Sequence, residues 1–125
     1  MNKVIPGKAL VYEDLIVWQK AHKLIMGVYA ISSHFPKSEL FGLTSQLRKA
    51  TVSVATNIVE GWKRYTIPEK RRFFNIAHAA LEESRYLLFL SSELGWADTT
   101  AETGLADEVG RLLSAYEKAL MKDRK

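Results

Sequence analysis

Acid–base or metal chemistry in this 125-residue chain would begin with its three histidines, His22, His34 and His78. A di-metal site in a helical bundle uses Glu-x-x-His pairs, which set carboxylate and imidazole one turn apart. Gln19, Ile31 and Asn75 stand three residues before the histidines, and no His-x-x-x-His occurs. The histidines therefore read as surface or helix-end residues, and no metal site is expected. Glu82 and Glu83 are adjacent. On a helix they point about 100° apart and cannot share a proton as a dyad; one of them is expected to pair with Arg85 or Arg72. The chain has no cysteine, which removes a thiol nucleophile, a redox motif, a zinc finger and a disulfide scaffold together. It has no G-x-S-x-G elbow, no P-loop and no G-x-G-x-x-G. Neither a catalytic constellation nor a cofactor is expected, and the chain reads as non-enzymatic.

Two polar groupings remain. Gln46, Ser53, Asn57 and Glu60 fall within about 60° of one another if their segment is helical. They form either a polar seam that fixes helix register or a subunit joint through hydrogen bonds, or a functional groove. The second grouping is basic: Lys63 and Arg64, then Lys70, Arg71 and Arg72, face the single anion Glu69, with Trp62 and Tyr65 interleaved. Lysine and arginine suit phosphate contact, and nearby aromatic rings can stack on unpaired bases. Arg48 and Lys49 are expected to extend this patch along the same helix. A solvated basic loop is the plain alternative.

These residues need elements to position them. Only 7 glycines and 3 prolines punctuate the chain, so the segments are long, and each shows a helical period. The first runs from about 14 to 33, with Val17, Ala21, Leu24, Val28, Ile31 and Phe35 as one apolar stripe and Leu15, Trp18, Ile25 and Tyr29 as a second. Phe35-Pro36 ends it, because the residue before proline avoids the α region. The second runs from about 38 to 60. Ser38 is its expected N-cap, Leu43, Leu47, Ala50, Val54 and Ile58 its stripe, Val52, Ala55 and Val59 an additional apolar side, and Gly61 its stop. The third runs from about 67 to 94 behind a Thr66/Glu69 capping box with Pro68 in its first turn. Its stripe is Phe73, Ala77, Ala80, Leu81, Ser84, Leu87, Leu88 and Leu94, and Gly95 stops it. The fourth runs from about 100 to 121 on Leu105, Val109, Leu112, Tyr116 and Leu120, and the tail from Lys122 to Lys125 is expected to fray. The fold class predicted is all-α: a single domain, residues 1–125, folded as an antiparallel up-down-up-down four-helix bundle.

A monomeric bundle needs one apolar stripe per helix, and the first two helices carry more. Exposed apolar surface of that kind marks an interaction site, so self-association is expected; a thick core that buries both stripes within one chain is the alternative. Composition is ordinary for a globular domain, with 47% hydrophobic and 26% charged residues. No stretch approaches the roughly 20 apolar residues that span a bilayer. The N-terminus, MNKVIPGKALVYEDL, has no apolar h-region and is not read as a signal peptide. A soluble cytoplasmic protein is expected. Its formal charge of +4 is modest, and the positive charge concentrates in the first two helices and the turn after them.

Several motifs together carry a family likeness. They are Val17-Trp18-Gln19-Lys20-Ala21-His22, Phe35-Pro36 with Glu39, the run from Gly42 to Ala50, Ser53, Asn57-Ile58-Val59-Glu60-Gly61, and Arg72-Phe73-Phe74-Asn75-Ile76-Ala77 with Leu81-Glu82-Glu83. In order and spacing, over about residues 12–95, the chain resembles the four-helix bundle proteins encoded by intervening sequences in bacterial 23S ribosomal RNA genes; the fourth helix matches loosely. That family is similar to the accessory variability determinant proteins of diversity-generating retroelements, which form five-fold rings and bind nucleic acid and a reverse transcriptase. The resemblance implies a ring-like homopentamer with a basic surface, nucleic acid as a partner and a reverse transcriptase as a further one. It carries over onto Trp18, Gln46, Arg48, Ser53, Asn57, Glu60 and Gly61 without assigning them chemistry. Val59 stands where the motif leads one to expect alanine. Two functions follow as expectations: a nucleic-acid-binding homo-oligomer, or a protein-interaction scaffold with no nucleic-acid role.

Overall fold

The computed structural model of the protein describes residues 11–123. The N-terminal reading falls largely on residues 1–10, and part of the expected frayed tail is Arg124 and Lys125; these lie outside the described residues. Four α-helices form: α1 (Ile16–Ser32), α2 (Leu43–Lys63), α3 (Ile67–Glu93) and α4 (Thr100–Asp123). Short 3-10 turns at Tyr12–Asp14 and Lys37–Glu39 precede α1 and α2, and no strand occurs among the described residues.

Cross-helix contacts fix the topology. Arg48 Nε donates to Ser32 Oγ at 2.8 Å, Gln46 Nε2 to Glu83 Oε2 at 3.2 Å, and His78 Nε2 lies 2.7 Å from Glu117 Oε1. Lys20 pairs with Glu108 at 3.5 Å, closing α1 onto α4. Further contacts give the directions: Gly61 adjoins Phe74 where Gln46 meets Glu83, Arg85 meets Asp107 where His78 meets Glu117, and Gly27 adjoins Glu102 where Lys20 meets Glu108, so residue numbers rise on one helix as they fall on its neighbour and these pairs run antiparallel. α2 and α3 make the most intimate pair, and α1 closes onto α4.

The core is built where periodicity placed it on α1 and α2. Leu24 and Val28 meet Leu47, Val54 and Ile58, all fully buried, with Leu88 from α3 and Val109 and Leu113 from α4. Thr51, Ser84 and Ser91 are buried with them, and each hydroxyl bonds a carbonyl one turn back: Leu47 O at 3.2 Å, Ala80 O at 2.8 Å and Leu87 O at 2.8 Å. That local bond removes the desolvation cost of the hydroxyl.

Elsewhere the structure corrects the pattern. On α3 the core anchor is Phe74, fully buried, whereas Phe73 is only half-buried. On α4 the buried line is Ala106, Val109 and Leu113, while Leu105, Leu112, Tyr116 and Leu120 sit at its margins, half-buried. α2 begins at Leu43, not near Ser38, because Glu39 ends a 3-10 turn and its Oε1 accepts the Leu43 amide at 3.3 Å; Glu39, not Ser38, serves the new helix. Lys122 and Asp123 continue α4.

Gly61 does not stop α2. The helix runs through it to Lys63, and the glycine is buried, its missing Cβ replaced by the Phe74 ring, whose Cε1 lies 2.4 Å from where a Cβ would stand. Gly95 does end α3. Its φ of +74° suits a residue without a side chain, and the amides of Gly95 and Trp96 bond Ser92 O and Ser91 O at 2.9 and 3.0 Å. This is the Schellman arrangement, which satisfies the last carbonyls of a helix.

The apolar surplus is spread over several elements. Leu15 and Ala55 are buried, Trp18, Ile25, Val52 and Val59 are half-buried, and Arg48 roofs the Tyr29 ring at 4.6 Å. The second stripes of α1 and α2 are thus partly covered: Tyr29 stays exposed, and Trp18, Ile25, Val52 and Val59 keep part of their surface open to solvent. Exposed apolar side chains stand on α1, at Ile16, Met26 and Tyr29, on α3, at Ile76, Tyr86 and Phe89, and in the linkers, at Phe41, Tyr65 and Leu94. Among the described residues no helix is long and apolar enough to cross a membrane.

Candidate nucleic-acid interface

The basic residues collect where α2 ends and α3 begins. Arg64, Tyr65 and Thr66 link the two helices, with Arg64 and Thr66 in extended backbone. Thr66 Oγ1 accepts the Glu69 amide at 3.3 Å and caps α3. The reciprocal half of the expected box is replaced by an ion pair, for the Glu69 carboxylate meets Arg72 Nε at 3.4 Å.

Each cation of this end has a distinct setting. Lys63, on the last turn of α2, is exposed, its ammonium 5.6 Å from the Trp62 ring centroid. Arg64 reaches back to Glu60 at 2.9 Å, and its guanidinium lies over the Phe73 ring at 4.5 Å. Arg72 lies over the same ring at 4.4 Å. One half-buried phenylalanine thus holds two guanidinium groups, an attraction worth about 0.5–1 kcal/mol per contact at an exposed site. Arg71 is exposed. Lys70 differs: its ammonium donates to Trp62 O at 2.6 Å and Gly61 O at 3.3 Å. It supplies positive charge and donors to the carbonyl end of α2, and burial pushes its pKa below the usual lysine value. Lys63, Arg64, Arg71 and Arg72 remain as heads open to solvent. The pairs with Glu60 and Glu69 are exposed and worth little, so a phosphate can compete for these arginines.

The interleaved aromatics part company. Trp62 is half-buried and meets the Tyr12 ring edge-on at 6.5 Å; Tyr12 in turn meets Trp18 at 5.0 Å, and Trp18 stacks on His22 at 5.1 Å. Tyr65 is 97% exposed.

The comparisons bear on this arrangement. The family model described as 23S rRNA-intervening sequence protein matches residues 13–115, a span that takes in α1, α2, α3 and most of α4. The chain belongs to that family. The 23S rRNA-intervening sequence match reaches further into α4 than the motifs alone suggested. Among solved structures, the chain is similar to a protein of unknown function from the S23 ribosomal protein family of Bacteroides thetaiotaomicron, at 18% identity, with a TM-score of 0.75 over 82% of this chain and 96% of that one. At that identity the likeness concerns the fold. No curated protein matches the chain.

Other residues singled out in the sequence stand elsewhere on this family member. Arg48 and Lys49 lie about 20 Å from Lys63 along α2, at 1.5 Å per residue. Arg48 is drawn to α1, where it bonds Ser32 and covers Tyr29, and Lys49 is exposed; neither adjoins the basic end. The polar seam divides into local and cross-helix bonds. Asn57 Nδ2 donates to Ser53 O at 2.8 Å and Ser53 Oγ at 3.1 Å, Glu60 serves Arg64, and Gln46 alone reaches a second helix, at Glu83.

His78 is more engaged than a surface residue, meeting Glu117 across the α3–α4 groove. Glu82 pairs with Arg85, as the adjacent-glutamate reading allows, and Arg85 also pairs with Asp107 of α4. This groove escaped the sequence because its partners lie on helices whose relative rotation no single-helix period reveals. No group of three or more metal-ligating side chains gathers among the described residues.

Proposed function

We propose that this 23S rRNA-intervening sequence family member is a non-enzymatic nucleic-acid-binding protein that acts as a homo-oligomer in the cytoplasm. One observation carries the reading: Lys63, Arg64, Arg71 and Arg72 crowd one end of the bundle, with two of the guanidiniums held over Phe73. Guanidiniums already placed over a ring give up less entropy on meeting phosphates than free ones, and each phosphate neutralised releases counterions. The resemblance to retroelement accessory proteins adds finer expectations to this proposal: a ring of five copies, a pooled basic surface, and a reverse transcriptase as a further partner. Repetition of weak phosphate contacts around a ring raises avidity without any new contact.

A filter-binding titration at two salt concentrations tests the reading. Affinity for RNA or DNA is expected to fall steeply as salt rises. A Lys63→Glu/Arg71→Glu variant, altering two exposed cations outside the ion pairs with Glu60 and Glu69, is expected to bind more weakly with a shallower salt slope and an unchanged melting curve. Equal binding by parent and variant refutes it.

A second reading, the protein-interaction scaffold, rests on the outer face of α3, where Ile76, Tyr86 and Phe89 stand exposed. Pull-down from nuclease-treated lysate separates the two: a protein partner recovered irrespective of nuclease, together with salt-insensitive behaviour toward nucleic acid, favours the scaffold.

A further inference from the structure

Tyr65 has no role in holding the fold together. It is 97% exposed, it enters none of the ring contacts that bind Tyr12, Trp18, Trp62 and Phe74, and it lies between helices that are already capped by Thr66 and Lys70. Its position follows from the linker. The chain bends at Tyr65 and Thr66 as it turns from α2 into α3. Arg64 and Thr66 reach onto Phe73 and the Glu69 amide, and Tyr65, between them, is left in solvent.

The result is a bare π-face one residue from a fixed guanidinium and close in the chain to Lys63, Arg71 and Arg72. A nucleotide carries the complementary pair, a flat base joined through its sugar to a phosphate. Paired bases keep their faces covered inside the duplex, so only an unpaired base can use the ring. Stacking on an aromatic side chain is tolerant of base identity, which suits a platform with no hydrogen-bonding wall around it. Trp62 cannot serve, being half-buried against Tyr12.

We infer that Tyr65 is a stacking platform for an unpaired base, and that the ligand of the basic end is single-stranded or looped nucleic acid rather than continuous duplex. The inference rests on the nucleic-acid reading above and specifies its substrate class. The test compares parent, Tyr65→Ala, Tyr65→Trp and Lys63→Glu/Arg71→Glu on a short RNA strand carrying 2-aminopurine, its 2′-deoxy counterpart and a blunt RNA duplex with the same number of phosphates. Tyr65→Ala is expected to weaken strand binding by about 5- to 150-fold, the range for loss of one base–aromatic stack. It should lose the 2-aminopurine quenching, keep the parent's salt slope, and leave duplex binding and the melting curve unchanged. Tyr65→Trp should keep both affinity and quenching. Equal loss on strand and duplex, or no loss on either, overturns the platform while the charge-reversal result still upholds the nucleic-acid reading. Binding by Lys63→Glu/Arg71→Glu that matches the parent on every probe overturns that reading instead, whatever Tyr65→Ala does. The ribose and deoxyribose strands show which of the two sources of an unpaired base is preferred.

Discussion

Replacing Gly61 by alanine is a sharp test of how α2 and α3 are joined, because two opposed effects differ in size. Alanine is favoured over glycine in a helix interior by about 1 kcal/mol. Against that, a Cβ at Gly61 would stand 2.4 Å from Cε1, 2.7 Å from Cδ1 and 3.0 Å from Cζ of Phe74. Carbon atoms prefer about 3.5–4.0 Å, so the ring has to retreat by about 1 Å. It has no free space to enter, since Phe74 is fully buried and meets the Tyr116 ring edge-on at 5.5 Å. Overpacking of this kind costs about 1–3 kcal/mol, which leaves Gly61→Ala destabilised by about 0–2 kcal/mol, against a gain at an open helical glycine. Gly104→Ala is the matched control: it too is inside a helix, with nothing within 4 Å of its added Cβ, and it should gain about 0.5–1 kcal/mol. Urea unfolding followed by far-UV circular dichroism reads both, at one fixed protein concentration because association shifts the midpoint. Phe74→Leu placed on the Gly61→Ala background should cost less than Phe74→Leu alone, a coupling that only a shared contact produces. If Gly61→Ala proves as stable as Gly104→Ala, the close packing of α2 on Phe74 is refuted.

Other expectations follow from single contacts. Lys70→Met keeps the alkyl stem but removes the donors to Gly61 O and Trp62 O; it should cost about 1–2 kcal/mol in a denaturant titration, and a neutral result would mean that water replaces the ammonium at no loss. Thr66→Ala removes the N-cap of α3 and should cost about 1 kcal/mol, with Thr66→Ser restoring it. The Asp98 carboxylate is held below its usual pKa by the Thr100 hydroxyl and then by the Thr100 amide. A folded pKa below the unfolded one means that its stabilisation is complete above the unfolded value and vanishes as pH falls through the folded one. Thr100→Val should move the Asp98 carboxyl titration, followed by NMR, up toward the ordinary range; an unmoved titration would sink the assignment of cause.

What the sequence discloses about this fold depends on whether one helix or two must be known. Val17, Ala21, Leu24 and Val28 repeat within a single helix, and so do Leu47, Val54 and Ile58, and their burial follows from that repeat alone. The Thr66 cap and the Gly95 stop are equally local. Gly61 was misread for an instructive reason. A glycine near a helix end suits either a C-cap or a close helix–helix approach, and only the ring of Phe74, on the next helix, decides between them. The same reasoning covers Phe73 and Phe74. Adjacent on α3, they differ by about 100° in direction, and the choice of which is core depends on where α2 lies. Arg64 and Arg72 then settle on the face of the one left half-buried.

The basic end illustrates how position changes the meaning of charge. Five cations in a short stretch read as equivalent in the sequence, but Lys70 lies one turn inside α3 at the height of the α2 carbonyl terminus, and its ammonium is taken up there. Arg48 and Lys49, on the same helix as Lys63, sit too far along it to share a phosphate-sized ligand with that end. The exposed face of α3 was hidden differently. Ile76, Tyr86 and Phe89 never align into a strict stripe, because Ala79, Glu82 and Glu83 interrupt them, and the periodic test rewards continuity rather than exposed area. The second stripes of α1 and α2 are continuous and only partly covered, Tyr29 being exposed and Trp18, Ile25, Val52 and Val59 half-buried. Surplus apolar surface is a property of packed helices, so the case for a partner rests on what stays exposed after packing, at Ile16, Met26 and Tyr29 of α1 as well as at Ile76, Tyr86 and Phe89 of α3; charged substitutions at Tyr86 and Phe89 should dissociate any oligomer that the bundle forms through its α3 face.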